Sequence, residues 1–112
     1  MLTYKHTPFD EEITSAMIAY NATHQDKFTL IDARIISLIH SYTYYGQSFF
    51  ASNQYLAEKC FATPATVQKS INKLLSHELI QKNVSCASGK KQRILTYNET
   101  GANKFKNENK PE

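Results

Sequence analysis

The residues from Gln54 to Ile80 constrain the fold most, because they combine two short helical patterns with a tight turn between them. Ser52 precedes the first pattern and Thr63 precedes the second, and both residue types cap helix N-termini. Pro64 then takes the first helical position, where its fixed φ fits the helix. The second helix is amphipathic, with apolar residues at helical spacing: Val67, Ile71, Leu74 and Leu75. The sequence therefore predicts two packed helices, the second with a polar outer face.

Two further helices are predicted before this segment. A short one runs from about residue 10 to 21, with Asp10 at its N-cap. A longer one begins after Thr29, and Asp32 follows three residues later in its first turn. Its apolar residues recur at helical spacing and predict one buried stripe: Ile31, Ile35, Leu38, Ile39 and Tyr42.

Strand patterns lie on both sides of the helical pair. The aromatic run at 48–52 fits a brief strand. The segments 80–84 and 93–97 enclose a loop of small residues around Gly89, which predicts an antiparallel hairpin. The polar tail from residue 98 predicts a flexible end.

Positive charge is confined to one part of the chain. Residues 1–63 hold four basic and six acidic side chains, a net charge of −2. Residues 64–93 hold six basic side chains against one acidic, a net charge of +5, whereas residues 94–112 are neutral. A basic patch restricted to the second helix and the hairpin suits phosphate binding, although a solvated face without a partner gives the same count.

Several classes of protein find no support in the sequence. The histidines and the two cysteines, Cys60 and Cys86, lack metal-ligand spacing, and no phosphate loop or catalytic triad pattern occurs. We therefore expect no metal, no cofactor and no enzymatic activity. No apolar run approaches the roughly 20 residues of a membrane span, and no signal peptide pattern appears, so we expect a cytoplasmic protein with free thiols.

The order helix, strand, helix, helix, hairpin resembles the winged helix-turn-helix superfamily. The resemblance covers about residues 28–97 and is carried by the following residues: Leu56, Ala57, Thr63–Val67, Ile71, Leu74, Leu79 and Ile80. It implies an α+β fold, with an N-terminal extension at 1–27 that carries an extra helix and a flexible tail at 98–112. Within the superfamily the chain looks most like N-terminal modules of plasmid and phage replication initiators and replisome organisers, which implies DNA binding.

Two residues depart from the pattern of that superfamily. Phe61 stands in the turn, and Glu78 stands before Leu79, at positions where the family often has glycine. Because a bulky residue with positive φ is uncommon, these residues predict a looser turn or one shifted by a residue.

The outward face of the second helix and the hairpin loop supply the candidate DNA contacts. Glutamine and asparagine side chains pair with adenine, small apolar groups touch the thymine methyl, and lysines bind phosphate or guanine. The hydroxyl residues stand at helix N-termini, which bind phosphate. The predicted contacts are Ser52, Thr63, Ala65, Thr66, Gln68, Lys69, Asn72, Lys73, Lys90, Lys91 and Arg93.

Several roles remain open at this point. Replication initiation on a mobile element is the first hypothesis, and a small transcriptional repressor is the second. The alternatives from other classes are a winged helix that binds proteins of a replication complex, and a single-strand DNA binder. The second of these would use Tyr42, Tyr44 and Tyr45 to stack bases, although packing at a helix end explains the same cluster. Homodimerisation through the N-terminal helix is also predicted, because operators are often symmetric.

Overall fold

Five helices and a two-stranded hairpin make up the part of the chain described by the computed structural model, which comprises residues 8–50, 52–87 and 89–110. The elements are α1 (Pro8–Thr23), α2 (Leu30–Tyr44), α3 (Asn53–Cys60), α4 (Pro64–Ser76), β1 (Ile80–Ala87), β2 (Lys90–Tyr97) and α5 (Glu99–Glu108). Helices α2 to α4 followed by the hairpin form an α+β winged helix, so the predicted fold class is confirmed.

Local capping fixes where the three central helices begin, as the sequence predicts. The Thr29 hydroxyl accepts a hydrogen bond from Asp32 N at 3.3 Å, while Asp32 Oδ2 accepts one from Thr29 N at 2.8 Å. Ser52 and Thr63 cap α3 and α4 through one such bond each, from Tyr55 N and from Thr66 N, and Pro64 is the first residue of α4. These contacts satisfy backbone N–H groups that a helix leaves without intrahelical partners.

The core lies between α2, α4 and the inner face of the hairpin. Its fully buried side chains include those of Ile35, Ile39, Leu56, Ile71 and Leu95. The predicted stripe of α2 is only partly right, because three of its members are half-buried at the edge of the core: Ile31, Leu38 and Tyr42. The same holds for Leu75 on α4.

The N-terminal helix belongs to the same core and is not a separate extension. Helix α1 begins at Pro8, so Asp10 lies inside the helix and not at its N-cap. Ile13 and Met17 are buried, and α1 packs against α5. Residues 1–7 of the predicted N-terminal extension lie outside the described part of the chain.

The prediction of a flexible tail is wrong, because residues 99–108 form α5. Ala102 and Phe105 are buried in the common core. Gly101 lies so close to the end of α4 that a Cβ atom there would fall 1.8 Å from the carbonyl oxygen of Glu78. The Asn98 side chain donates a hydrogen bond to the same oxygen at 2.9 Å.

Four aromatic rings join α1, α4 and α5. His77, at the C-cap of α4, lies with its ring centroid 5.2 Å from that of Tyr20, 4.9 Å from that of Phe28 and 6.0 Å from that of Phe105. Burial among these rings lowers the pKa of His77, and the nearby carboxylate of Asp26 opposes the shift.

The hairpin is longer than the sequence predicts, with Ile80 opposite Tyr97 and Ala87 opposite Lys90. The run at 48–52 forms only one isolated bridge, in which Phe49 pairs with Leu95, and Ala51 lies outside the described residues. Phe49 is buried, so this segment contributes its side chain to the core more than a strand to the sheet.

Both departures from the superfamily pattern fall on left-handed backbone. Phe61 has φ 53° and ends α3, and Glu78 has φ 59° just after α4. The predicted shift of the turn does not occur, because α4 still begins at Pro64. The Phe61 side chain is 97% exposed, so the turn holds a bulky residue by directing it into solvent.

Candidate nucleic-acid interface

The outward face of α4 carries polar side chains, because the apolar residues of the helix face the core. Ala65, Lys69 and Asn72 are exposed, whereas Thr66 and Gln68 are half-buried at the border of the face. All five lie at the positions predicted from helical spacing. The arrangement offers amide groups and one ammonium group, which suits contacts in a major groove.

A row of hydrogen-bonded amides crosses this face. Asn53 Nδ2, at the first position of α3, donates to Gln68 Oε1 at 2.7 Å. Gln68 Nε2 in turn donates to Asn72 Oδ1 at 2.9 Å. Sequence reasoning missed Asn53, since helical spacing within α4 gives no sign of a partner 15 residues away.

The two capping hydroxyl residues use their side chains within the fold. Thr63 Oγ1 accepts from Thr66 N at 3.2 Å and lies 3.0 Å from Thr66 Oγ1. Ser52 Oγ accepts from Tyr55 N at 3.1 Å. Both residues are exposed, so their position at helix N-termini remains compatible with phosphate binding.

Lys73 differs from the prediction that it faces outward. Its Nζ donates to Asp32 Oδ2 at 3.1 Å and to Lys27 O at 2.7 Å, and it lies over the Phe28 ring. The Lys73 side chain is 22% exposed and that of Asp32 is 1% exposed. Its charge therefore compensates a buried carboxylate and fastens α4 to the start of α2, because an unpaired buried carboxylate would be unfavourable.

The basic residues of the wing lie on two faces of the hairpin. Side chains alternate along a strand, so Lys91 and Arg93 share a face with buried Leu95, whereas Lys90 projects from the other face. Burial lowers the pKa of Arg93, but a guanidinium remains charged at neutral pH.

A shallow cleft connects the wing to the helices. It is lined by Phe50, Ser52, Asn53, Lys91, Gln92 and Arg93. Asn53 thus borders the wing cleft on one side and is hydrogen-bonded to α4 on the other. The polar face of α4 and the inner basic residues of the wing therefore belong to one continuous surface.

The tyrosine cluster is divided between packing and exposure. Tyr42 packs with its ring centroid 4.7 Å from that of Phe49. Tyr44 and Tyr45 are 65% and 60% exposed, with ring centroids 5.1 Å apart. The packing explanation therefore holds for Tyr42 and not for its two neighbours.

The described residues contain neither a candidate metal site nor a candidate membrane span. They contain no group of three or more histidine, cysteine, aspartate or glutamate side chains that could hold a metal ion. None of the described helices has the length and apolarity to cross a bilayer. Cys60 is buried and Cys86 exposed, and both are free thiols.

Comparison with known proteins agrees with the fold. Residues 29–80 match the model of a family described as a helix-turn-helix domain. No curated protein matches the sequence. The matched segment begins at the α2 cap and ends at the first residue of β1, and the hairpin that follows it gives the winged form of the helix-turn-helix fold.

Solved structures show the same architecture. A mutant of ZitR from Lactococcus lactis has 25% identity and a TM-score of 0.51, over 76% of this chain and 53% of that one. Wild-type ZitR in complex with DNA has 22% identity and a TM-score of 0.49, over 78% of this chain and 56% of that one. A possible transcriptional regulator from Methanosarcina mazei Go1 has 16% identity and a TM-score of 0.56, over 96% of this chain and 82% of that one. The chain thus spans about half the length of the ZitR chains.

Proposed function

We propose that this chain binds duplex DNA without catalysing a reaction, with α4 in the major groove and the inner face of the wing along the adjoining backbone. The observation that carries the proposal is the continuous surface on which the amides of α4 meet Lys91 and Arg93 at Asn53. The match of residues 29–80 to a helix-turn-helix family supports it. The proposed contacts are the predicted residues without two lysines: Lys73, whose charge is engaged by Asp32, and Lys90, which projects from the other face of the hairpin.

For the biological role, we propose transcription regulation in preference to replication initiation. The Methanosarcina mazei protein, similar over 96% of this chain, is described as a possible transcriptional regulator. Its 16% identity supports the shared fold, and the role itself remains our proposal. Resemblance to replication initiators gains no support from either similar protein.

Homodimerisation through α1 also remains a prediction, consistent with the exposed Ile18 on that helix.

Salt dependence tests the proposal directly. The protein is titrated into a fluorescein-labelled duplex of mixed sequence, and anisotropy is measured at several salt concentrations. We expect a log–log slope of about −3 to −6, because about 4–6 phosphate contacts would each release counterions. Binding that is absent or independent of salt would contradict DNA binding and favour a protein-interaction role.

A matched pair of variants then tests the position of the interface. Lys91→Ala should weaken binding and reduce the salt slope by about 1, since it removes one phosphate contact. Lys90→Ala removes the same charge from the opposite face of the hairpin and should have a smaller effect. A larger effect at Lys90 would place the DNA on the other face of the wing.

Single-strand binding is a second candidate, because the exposed Tyr44 and Tyr45 rings offer stacking surfaces. Replacing both tyrosines with alanine distinguishes the two functions. If the chain binds single strands through these rings, the double variant loses affinity for a labelled oligonucleotide and keeps its affinity for the duplex.

A further inference from the structure

Asn53 lies between the two parts of the proposed interface, α4 and the wing. The helical spacing of α4 does not identify it as a base contact, because it belongs to α3. We propose that Asn53 is a positioning residue that sets the base preference of α4, by fixing the orientation of the Gln68 and Asn72 amides. This inference rests on the proposed binding of duplex DNA. It concerns which bases the surface reads, and not whether the surface binds.

The direction of the hydrogen bonds determines which groups face the groove. Asn53 Nδ2 donates to Gln68 Oε1, and Gln68 Nε2 donates to Asn72 Oδ1. Asn72 is exposed, and its Oδ1 already accepts a hydrogen bond, so its Nδ2 hydrogens point outward as donors. Lys69 adds a further donor on the same face. A surface rich in donors matches acceptors at the base edge, which are N7 and O6 of guanine, N7 of adenine and O4 of thymine.

The surroundings of the half-buried Asn53 side chain are consistent with this role. Its Oδ1 is buried and accepts no hydrogen bond within the described part of the chain. An unsatisfied buried acceptor is unfavourable, so packing alone would favour a small apolar residue here. The donor on the same side chain, by contrast, holds Gln68 in one orientation. A glutamine side chain free to rotate would lose entropy on binding, and prior anchoring reduces that loss.

Three variants test the proposal after a preferred duplex has been selected by the wild-type protein from a library of randomised 20-base-pair duplexes. Asn53→Ala removes the anchor and keeps α3 intact, because alanine suits a helix. In Asn53→Asp the new carboxylate can only accept, so Gln68 Nε2 turns toward residue 53. Gln68 Oε1 then accepts from Asn72 Nδ2, and Asn72 Oδ1 turns outward. Gln54→Asp, on the exposed neighbouring position, adds the same charge outside the row and serves as the control.

The measured quantity is the specificity ratio. It is the Kd for a duplex with one base pair of the site exchanged, divided by the Kd for the preferred duplex. We expect Asn53→Ala to reduce this ratio about tenfold at the contacted position, with the salt slope unchanged. Asn53→Asp should shift the preference at that position toward adenine or cytosine, whose exocyclic amino groups donate. Gln54→Asp should weaken all duplexes equally and preserve the ratio.

Two results with the variants would overturn the inference. The first is an Asn53→Ala variant that melts like the wild type and retains the full ratio. The second is an equal loss of the ratio in Asn53→Asp and Gln54→Asp, which would assign the effect to charge. Failure of the proposed function looks different, because the wild-type protein would then show no salt-dependent binding to the mixed-sequence duplex. Binding to that duplex without selection of any sequence from the library would overturn the inference alone.

Discussion

Replacing Gly101 with alanine should destabilise the domain, although alanine is the better helix former by about 1 kcal/mol. The new Cβ would fall 1.8 Å from Glu78 O, so either the backbone after α4 must move or α5 must leave its site. Undocking sets the upper limit. It exposes Phe105 (about 1.5–3 kcal/mol) and the Ala102 methyl (about 0.8 kcal/mol), and breaks the Asn98–Glu78 hydrogen bond (about 1 kcal/mol). After the gain in helix propensity, we expect a net loss of about 3 kcal/mol.

Urea unfolding followed by circular dichroism measures this loss. In a thermal melt of the same variant, the melting temperature should fall by roughly 13 °C. Thr100→Ala, one residue earlier on the exposed side of α5, is the control and should change stability by less than about 0.5 kcal/mol. A Gly101→Ala protein as stable as the wild type would refute the close approach of α5 to Glu78. Such a result would also favour the flexible tail that the sequence predicts from residue 98.

Two further predictions concern charges in the fold. Lys73→Met should lower the free energy of unfolding by about 2 kcal/mol, because it leaves the buried Asp32 carboxylate without its cation. The loss is smaller than for a fully buried ion pair because the Lys73 side chain is partly exposed. The exposed Lys69→Met is the control, and equal urea midpoints for the two variants would contradict this ion pair. Burial lowers the pKa of His77, so the unfolded state takes up the proton first, and stability should fall as the pH drops below about 6.5. His77→Gln should flatten this dependence between pH 7.5 and 5, and parallel curves for wild type and His77→Gln would assign the titration elsewhere.

The sequence predicts the helix starts well because capping is local. Thr29, Ser52 and Thr63 each bond a backbone N–H three residues ahead, so both partners are visible in a short stretch of sequence. Helical spacing likewise identifies Lys69 and Asn72 as exposed, since the core-facing residues of α4 are plainly apolar.

Contacts between distant segments are what the sequence does not reveal. Helix α5 carries few apolar residues in a polar run, and its place in the core depends on the fit of Gly101 against Glu78. Lys73 reads as an outward lysine because its partner, Asp32, lies 41 residues earlier. Asn53 has no helical relation to Gln68, so the amide row becomes visible only when α3 and α4 are packed.

Phe61 shows a different limit. The sequence correctly indicates a conflict between a bulky side chain and a turn that favours glycine, and it predicts a looser turn or one shifted by a residue. The structure keeps the turn and turns the side chain fully outward, because left-handed backbone is strained for phenylalanine but not forbidden. A rule of local sterics identifies such a conflict without deciding which of two remedies the fold adopts.

One oxygen atom of Asp32 accepts both from Thr29 N and from Lys73 Nζ. The residue at which α2 begins and the position at which α4 packs therefore both depend on this one atom. A glutamate at residue 32 could still accept from Thr29 N, as in other capping boxes, but its oxygen would lie one methylene further out and the contact with Lys73 Nζ would have to form anew. A change at residue 32 would therefore affect the start of α2 and, through Lys73, the position of α4 as well.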